Sequence, residues 1–342
     1  MGGEVLSVTI KDIAKLSGVS TATVSKIING KDNDISRPTI EKVSKIIKEL
    51  NYSPNTIARS MITKKTKTVG LVIPDVRNPF FTDLTRGAED VANERGYSIF
   101  FCNTDDDLNK EIKYINNLIE KQVDGIALAG AAFRDKALEE KVNIKIPIVS
   151  LDRNVYFKGI EGKIEVDNFL GAYDAVSYLI KLGHKKIMFL SGQLNVKLSI
   201  DRLEGYKKAL EDNNIDYNEK LVIVGRYSSD FGYGIMKNTT IDRDVTAIFC
   251  GNDLIAIGAI KALKEKNISI PQDISIVGFD DINIASLVAP SLTTVRQPSY
   301  EIGHLAMEKL IDILEGKENL SNKVEIKLEL IVRESTCKRR CK

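Results

Sequence analysis

The sequence predicts a small all-α head with a helix-turn-helix, followed by a larger α/β body built from two doubly wound parallel sheets. In the segment 9–50, short amphipathic stretches are separated by capping and turn residues. From residue 68 onward, strand-sized apolar runs alternate with amphipathic segments of helical length. This alternation favours parallel sheets covered by helices. The 342 residues suffice for two or three domains with sizeable cores.

The net charge of +2 is distributed unevenly along the chain. Residues 1–67 carry a net charge of +6, residues 68–337 carry −8, and the tail 338–342 carries +4. A basic head on an acidic body indicates that the head meets a polyanion, although such a charge also occurs on ordinary solvated surfaces.

Composition argues against membrane and secreted classes. The longest apolar runs, such as 69–74 and 126–132, have the length of strands, so we expect no transmembrane helix. Residues 1–10 lack the pattern of a secretory signal, and four scattered cysteines do not form a disulfide framework. We therefore expect a cytoplasmic protein without contact to a membrane.

The residues needed for catalysis or for a cofactor are not found in the sequence. No phosphate-binding glycine loop follows a predicted strand. His184 at a helix end and His304 within a helix are expected to be structural, and Cys337 and Cys341 lack the further ligands that zinc requires. We predict neither an enzyme nor a metal or other cofactor.

Three helices are predicted in the head. Thr9 begins a helix over 10–17, Ser20 begins a second over 21–29, and Ser36 begins a third. Two short helices around a glycine-containing turn, supported by a third helix, form a helix-turn-helix unit. A plain three-helix bundle with surface lysines is the alternative that the pattern leaves open.

The second helix of such a unit enters the major groove of DNA with its amino-terminal end. This geometry places Thr21, Ala22 and Lys26 near base edges, whereas Thr23 and Ser25 suit phosphate contacts. The stretch 56–62 that follows is too short to hold a helix unaided. It is either a frayed linker or a helix that orders only against DNA and a partner chain.

Polar and aromatic side chains follow the predicted strands of the body. Ligands bind beyond the carboxyl ends of parallel strands, so these residues are expected to converge on one site. Carboxylates, amides, a guanidinium group and rings suit a neutral polyol. Individually, each residue could be a turn former, and Asp253 and Asp281 are expected to cap helices. The residues at the strand ends are Asn78, Phe80, Phe81, Asp152, Arg153, Asn252, Asp253, Asp280, Asp281 and Gln297.

Several motifs of the head resemble the lactose/galactose-repressor (LacI/GalR) family. They are Val-Thr-Ile-Lys-Asp-Ile-Ala (8–14), Gly-Val-Ser (18–20), Thr-Val-Ser-Lys-Ile-Ile-Asn (23–29), Leu-Asn-Tyr-Ser-Pro-Asn (50–55) and Ala-Arg-Ser-Met (58–61). The resemblance implies a hinge helix over about 54–62, in which Met61 stands where the family has a leucine that wedges between base pairs. The DNA-binding residues that it implies are Thr9, Ser20, Thr21, Ala22, Thr23, Ser25, Lys26, Asn29, Asn55, Ala58, Arg59 and Met61.

The body is similar to ribose-type periplasmic binding proteins and ribose repressors. The motifs that carry this similarity include Asn-Pro-Phe-Phe (78–81), Leu-Asp-Arg (151–153), Gly-Asn-Asp (251–253), Gly-Phe-Asp-Asp (278–281) and Arg-Gln-Pro (296–298). The resemblance implies that a monosaccharide is surrounded by Asn78, Phe80, Phe81, Asp152, Arg153, Arg202, Phe231, Asn252, Asp280 and Gln297. Ribose-like ligands match best, although related hexoses use nearly the same set.

Taken together, these observations predict a homodimeric repressor that binds a near-palindromic operator and responds to a monosaccharide, ribose or a similar sugar. The head would span 1–66 and the body 67–342. One lobe of the body would comprise 67–166 and 297–324, and the other 167–296 and 325–336. The main alternative is a catabolite-control-type regulator driven by a phosphorylated carrier protein. A transport-type sugar-binding protein and an enzyme on the same scaffold are weaker alternatives.

Overall fold

The computed structural model describes residues 8–52, 65–131, 144–153, 155, 157, 159–317 and 322–339. The chain divides into two compact units, Met1–Thr66 and Lys67–Lys342. We call them the head and the body, and each is described by itself. Within the described ranges, none of the helices is long and apolar enough to cross a membrane.

The head contains helices α1 (Ile10–Ser17), α2 (Thr21–Ile28) and α3 (Arg37–Glu49). Its small core is formed by four buried side chains, one or two from each helix: Ile13, Ala14, Val24 and Val43. The prediction of a helix-turn-helix supported by a third helix is confirmed, with α2 ending one residue earlier than predicted.

Local capping sets the bounds of the first two helices. The Thr9 hydroxyl accepts from the backbone of Asp12, whose carboxylate in turn accepts from the Thr9 backbone, which makes a complete capping box. Gly18 ends α1 with a φ of +74°, a conformation that glycine adopts without strain. Ser20 then caps α2 by accepting from the Thr23 amide at 3.0 Å.

The body alternates strands and helices along its whole length. Its elements, in chain order, are β1 (Thr68–Ile73), α4 (Pro79–Glu94), β2 (Ser98–Asn103), α5 (Leu108–Glu120), β3 (Gly125–Leu128), β4 (Ile148–Leu151), β5 (Ile160–Val166), α6 (Asn168–Lys181), β6 (Ile187–Ser191), α7 (Lys197–Asp212), β7 (Val222–Val224), α8 (Ser229–Asn238), β8 (Ala247–Cys250), α9 (Asp253–Glu265), β9 (Ser275–Asp280), β10 (Thr293–Arg296), α10 (Ser299–Leu314), β11 (Lys323–Ile326) and β12 (Glu329–Ile331).

The strands form two six-stranded sheets, as the predicted doubly wound fold requires. The first sheet has the order β11-β5-β4-β3-β1-β2, and the second has the order β12-β10-β9-β8-β6-β7. All pairings are parallel except that of β12 with β10. The chain crosses between the sheets after β5, after β10 and after β11. Because β11 belongs to the first sheet, the last crossing lies beyond Ile326. The prediction from the sequence places this crossing after residue 324.

Helices α4 and α10 pack with their backbones in contact. A Cβ atom on Gly87 of α4 would lie 2.0 Å from the carbonyl oxygen of Tyr300, and one on Gly303 of α10 would lie 1.9 Å from the carbonyl oxygen of Leu84. Only glycine permits this approach at either position. The contact holds the returning helix α10 beside α4, on the first sheet.

A buried histidine ties the carboxyl-terminal segment to the second sheet. His184 is 2 % exposed. Its Nδ1 lies 2.9 Å from the Thr246 hydroxyl, and its Nε2 lies 3.0 Å from the carbonyl oxygen of Cys337. Because a carbonyl can only accept, Nε2 carries the proton and Nδ1 accepts from Thr246. Burial lowers the pKa of His184, since this environment disfavours the imidazolium form.

We predict that the stability conferred by His184 decreases as the pH falls. The unfolded chain takes up a proton at the ordinary histidine pKa near 6.5, whereas the buried imidazole resists protonation. The free energy of unfolding of the wild type should therefore exceed that of His184→Gln most clearly above pH 7. The difference should shrink below pH ~6.5, by at most ~1.4 kcal/mol per pH unit.

Urea denaturation from pH 5 to 8 measures this difference. His304→Gln, the substitution at the chain's other histidine, serves as the matched control. A difference between wild type and His184→Gln that stays constant across this range would contradict the prediction.

Candidate functional site

A small cavity in the body is lined by residues that follow strands of both sheets. Its volume is about 20 Å³. Nine of the ten residues that the sequence assigns to a ligand site lie in its wall, and Phe231 does not. The lining residues are Asn78, Phe80, Phe81, Asp152, Arg153, Leu198, Arg202, Tyr227, Asn252, Asp280 and Gln297.

Two of the lining asparagines are placed by helix capping. Asn78 is the N-cap of α4, where its side-chain oxygen accepts from the Phe80 amide at 3.1 Å. Asn252 is the N-cap of α9 and accepts from the Ile255 amide at 3.0 Å. Because each cap uses the oxygen, the amide NH₂ group is the part of each side chain that a ligand would meet.

Arg153 brings a buried positive charge to the cavity from the end of β4. Its Nη1 donates to Asp106 Oδ1 at 2.5 Å and to the carbonyl oxygen of Gly130 at 3.3 Å. Its Nε is buried and makes no hydrogen bond within the described part of the chain, although Asp152 Oδ2 lies 3.7 Å away. Burial lowers the pKa of Arg153, but the charges of Asp106 and Asp152 outweigh that effect and hold it above its usual value.

Arg202 brings a second buried positive charge, from α7 on the second sheet. Its Nε donates to Asn168 Oδ1 at 2.9 Å, and its Nη1 donates to the carbonyl oxygen of Gly251 at 2.5 Å. The guanidinium carbon lies 3.7 Å from the centre of the Phe279 ring, a cation–π contact. Its Nη2 lies 3.9 Å from Asp280 Oδ1. These contacts fix the plane of the group.

Asp280 and Gln297 form a hydrogen-bonded pair between neighbouring strands. Gln297 Nε2 donates to Asp280 Oδ1 at 2.7 Å, and the Gln297 amide donates to the Asp280 carbonyl at 3.2 Å. Gln297 Oε1 is buried without a partner among the described residues. Burial raises the pKa of Asp280 to about 7, and the charge of Arg202 limits the rise. Burial likewise raises the pKa of Asp152.

Asp253 and Asp281 hold the fold and do not cap the helices that follow them. Asp253 accepts from the Thr294 hydroxyl at 2.6 Å and from the Ile282 amide at 2.9 Å. Asp281 pairs with Arg296 and Arg333, each at 2.7 Å. The prediction that these two aspartates act as helix caps is wrong, because Asn252 caps α9 and Asp281 forms ion pairs with two arginines.

Phe231, which the resemblance places among the ligand residues, lies outside the cavity wall. It belongs to α8, and its ring packs over Gly225, where a Cβ atom would lie 2.2 Å from the ring. Tyr227 lines the cavity instead, with its hydroxyl 2.7 Å from that of Ser199. Its ring covers Gly192, where a Cβ atom would lie 2.1 Å away. The signal for Tyr227 is its place just after β7, a strand of three residues that is too short to produce an apolar run of strand length.

The cavity offers groups that bind a small polyhydroxylated molecule. It presents carboxylates as acceptors, guanidinium and amide groups as donors, and the Phe80 and Phe81 rings, whose centres lie 5.1 Å apart in an edge-to-face arrangement. Hydroxyl groups can donate to the carboxylates and accept from the guanidinium groups, while C–H surfaces lie against rings.

The exposed side of α2 in the head carries the predicted base-reading residues. Thr21, Ala22 and Lys26 are exposed, and Lys26 forms an ion pair with Asp34. Asn29 donates to the Ser25 carbonyl oxygen at 2.7 Å, which fixes its side chain along the helix.

Three of the predicted DNA-binding residues have local structural roles in the head. Thr9 and Ser20 serve as N-caps, and the Thr23 hydroxyl lies 2.9 Å from that of Ser20. The remaining predicted contacts, Asn55, Ala58, Arg59 and Met61, and the segment 54–62 with them, lie outside the described residues.

The chain matches two family patterns. Residues 9–55 match the bacterial regulatory proteins of the lacI family, and residues 176–336 match the periplasmic binding protein-like domain. It is 39% identical to the HTH-type transcriptional regulator RegA of Clostridium saccharobutylicum, over 97% of this chain and 100% of the relative. It is 36% identical to catabolite control protein A of Priestia megaterium, over 97% of this chain and 100% of that protein.

Several solved structures are similar to this chain. The lac repressor dimer bound to operator and an anti-inducer is 26% identical, with a TM-score of 0.84 over 97% of this chain and 99% of that chain. A LacI family transcriptional regulator from Enterococcus faecium with bound ribose is 31% identical, with a TM-score of 0.70 over 80% of this chain and 100% of that chain. These relatives are regulators of transcription and not enzymes. The chain belongs to the LacI family of DNA-binding transcriptional repressors with a sugar-binding domain.

Proposed function

We propose that this repressor is controlled by a monosaccharide, ribose or a close relative, bound in the cavity between its two sheets. The observation that carries the proposal is a pair of buried polar atoms without partners among the described residues: Arg153 Nε, a donor, and Gln297 Oε1, an acceptor. A buried polar group without a hydrogen bond costs free energy, so such atoms in a cavity wall favour a ligand that satisfies both. A sugar hydroxyl both accepts and donates.

The choice of ribose rests on the set of lining residues and on one structural relative. Asp152 and Asp280 would accept from hydroxyl groups, Arg153 and Arg202 would donate, and the ring of Phe81 would cover a C–H face. The regulator from Enterococcus faecium, which was solved with bound ribose, supports the same ligand class.

The head would read the operator through α2. In a homodimer, each copy of α2 would enter the major groove of one half-site of a near-palindromic operator. Sugar binding would change the arrangement of the two lobes and weaken operator binding, so that the sugar induces expression. A coupling free energy of ~1–3 kcal/mol is typical of such linked sites.

The homodimer is supported by exposed apolar side chains at the free edge of the first sheet. Strand β2 lies at that edge, and its Phe100 and Phe101 are 42% and 44% exposed. An uncovered edge strand with two exposed rings is a surface that proteins normally bury. The lac repressor structure, with a TM-score of 0.84, is a dimer.

A catabolite-control-type regulator, driven by a phosphorylated carrier protein, is the second candidate. Its support is the 36% identity to catabolite control protein A. The polar lining of the cavity, with charged groups from both sheets, favours direct control by a sugar. Direct binding of ribose by the isolated protein separates the two candidates.

We predict that Lys26→Ala weakens binding to the specific operator by about 10-fold or more. It should also change the base preference at one position of each half-site, because the substitution removes a donor to a base edge. Binding is measured on DNA selected by the protein from a random pool, at fixed salt. Lys45→Ala, which removes an exposed lysine from α3, is the matched control and should leave the preference unchanged. A loss of equal size on all sequences would make Lys26 a phosphate contact.

We predict that Arg153→Ala lowers ribose affinity by at least about 10-fold, since it removes the Nε donor that the sugar would use and one of the two positive charges that act on Asp152. Calorimetric titration measures the ribose affinity. Operator binding by Arg153→Ala in the absence of sugar should equal that of the wild type. Arg95→Ala is the matched control, because Arg95 pairs with Asp312 and Glu315 away from the cavity wall. If Arg153→Ala loses operator binding as well, Arg153 is needed for folding and the assignment fails.

We predict that Phe101→Asp shifts the protein from dimer to monomer at micromolar concentration, because a carboxylate at a buried interface is unfavourable. Sedimentation equilibrium measures the change. Val224→Asp alters a 45% exposed residue on β7, the edge strand of the second sheet, and is the matched control. A dimer that persists in Phe101→Asp would remove β2 from the interface.

A further inference from the structure

We infer that Asp106 is a positioning residue of the sugar site, which it serves by holding the guanidinium group of Arg153 in place. Asp106 does not line the cavity, and its side chain is 40% exposed, whereas that of Arg153 is 7% exposed. The inference rests on the proposed function, because it assigns a role in binding the proposed sugar.

Backbone hydrogen bonds hold the loop that carries Asp106. The Asp106 amide donates to the carbonyl oxygen of Pro74 at 3.2 Å, and the Asp107 amide donates to that of Thr104 at 3.1 Å. Asp107 then caps α5, where it accepts from the Asn109 amide at 2.7 Å. The loop is therefore bound to the segment between β1 and α4, the one that leads into the cavity residue Asn78.

The carboxylate of Asp106 holds one end of the Arg153 side chain. Arg153 Nη1 donates to Asp106 and to the carbonyl oxygen of Gly130, so two acceptors from two different loops fix this nitrogen. The guanidinium carbon lies 5.5 Å from the centre of the Phe81 ring, which covers its face. With one end and one face held, Nε remains at the cavity without a hydrogen bond within the described residues.

The competing partner for Arg153 is Asp152, the adjacent lining carboxylate. Its Oδ2 lies 3.7 Å from Arg153 Nε, too far for a hydrogen bond. A buried guanidinium group that lost Asp106 would turn toward the remaining carboxylate, because a buried charge needs a partner. After that movement, Arg153 Nε would donate to an Asp152 oxygen. Neither group would then be available to bind the sugar.

The matched test compares Asp106→Asn with Asp105→Asn in the full-length protein. Both aspartates lie in the same loop with positive φ, +61° and +54°, a conformation that asparagine tolerates. Asp105 pairs with Lys110 and Asn103, whereas the hydrogen bond from Arg153 goes to Asp106. Calorimetric titration with D-ribose should show an affinity about 10-fold or more lower for Asp106→Asn, and within about 2-fold of wild type for Asp105→Asn.

A double-mutant cycle separates positioning from a general effect on folding. In an Arg153→Ala background, Asp106→Asn should cause little further loss of affinity, because the guanidinium group that Asp106 holds is no longer present. Asp106→Glu, which keeps the charge, should recover part of the affinity that Asp106→Asn loses. Thermal unfolding and operator binding without sugar provide a readout of folding for every variant.

Three results would overturn the inference. Asp106→Asn with wild-type ribose affinity would show that the contact is not used in binding. An equal loss in the Arg153→Ala background would show that Asp106 acts elsewhere. A wild-type protein that binds no ribose would overturn the proposed function and this inference with it. Wild-type binding with an unaffected Asp106→Asn would overturn this inference alone.

Discussion

The contact between the backbones of α4 and α10 is the constraint on which the cavity depends. Gly87 and Gly303 let the two helices touch, and any larger side chain would force them apart. Helix α4 begins with the lining residues Phe80 and Phe81, and Gln297 lies two residues before α10. The close packing therefore fixes Gln297, whose side chain binds Asp280 of the second sheet, relative to residues at the end of the first.

Each sheet then contributes one buried arginine to the same cavity. Arg153 is held by Asp106 and Gly130, and Arg202 by Asn168, Gly251 and the Phe279 ring. Separate partners within its own lobe hold each group, so neither needs the other lobe for its position. A ligand that bridges the two arginines would therefore couple the lobes without building either half of the site.

The sequence predicted strongly apolar strands well and weakly patterned ones poorly. Strand β5 carries charged residues between its apolar ones, and β7 has only three residues, so neither produces an apolar run of strand length. The same weakness explains why Tyr227, which follows β7, is not among the ligand residues predicted from the sequence. Residues next to apolar strands, such as Asp152 after β4 and Asp280 in β9, were found because the strand itself was visible. Asp106 lies in an exposed loop, and no local pattern distinguishes it from Asp105.

The size of the cavity bears on how a sugar would act. A volume of about 20 Å³ is about what one water molecule occupies, so a five-carbon sugar would enter only if the lobes separated. A ligand shifts such an equilibrium only by its difference in affinity for the two arrangements. The donor on Arg153 belongs to the first sheet, and the acceptor on Gln297 follows β10 of the second. Both atoms can hydrogen-bond to one sugar only in an arrangement that brings them close together. The sugar would therefore bind that arrangement more tightly than the other.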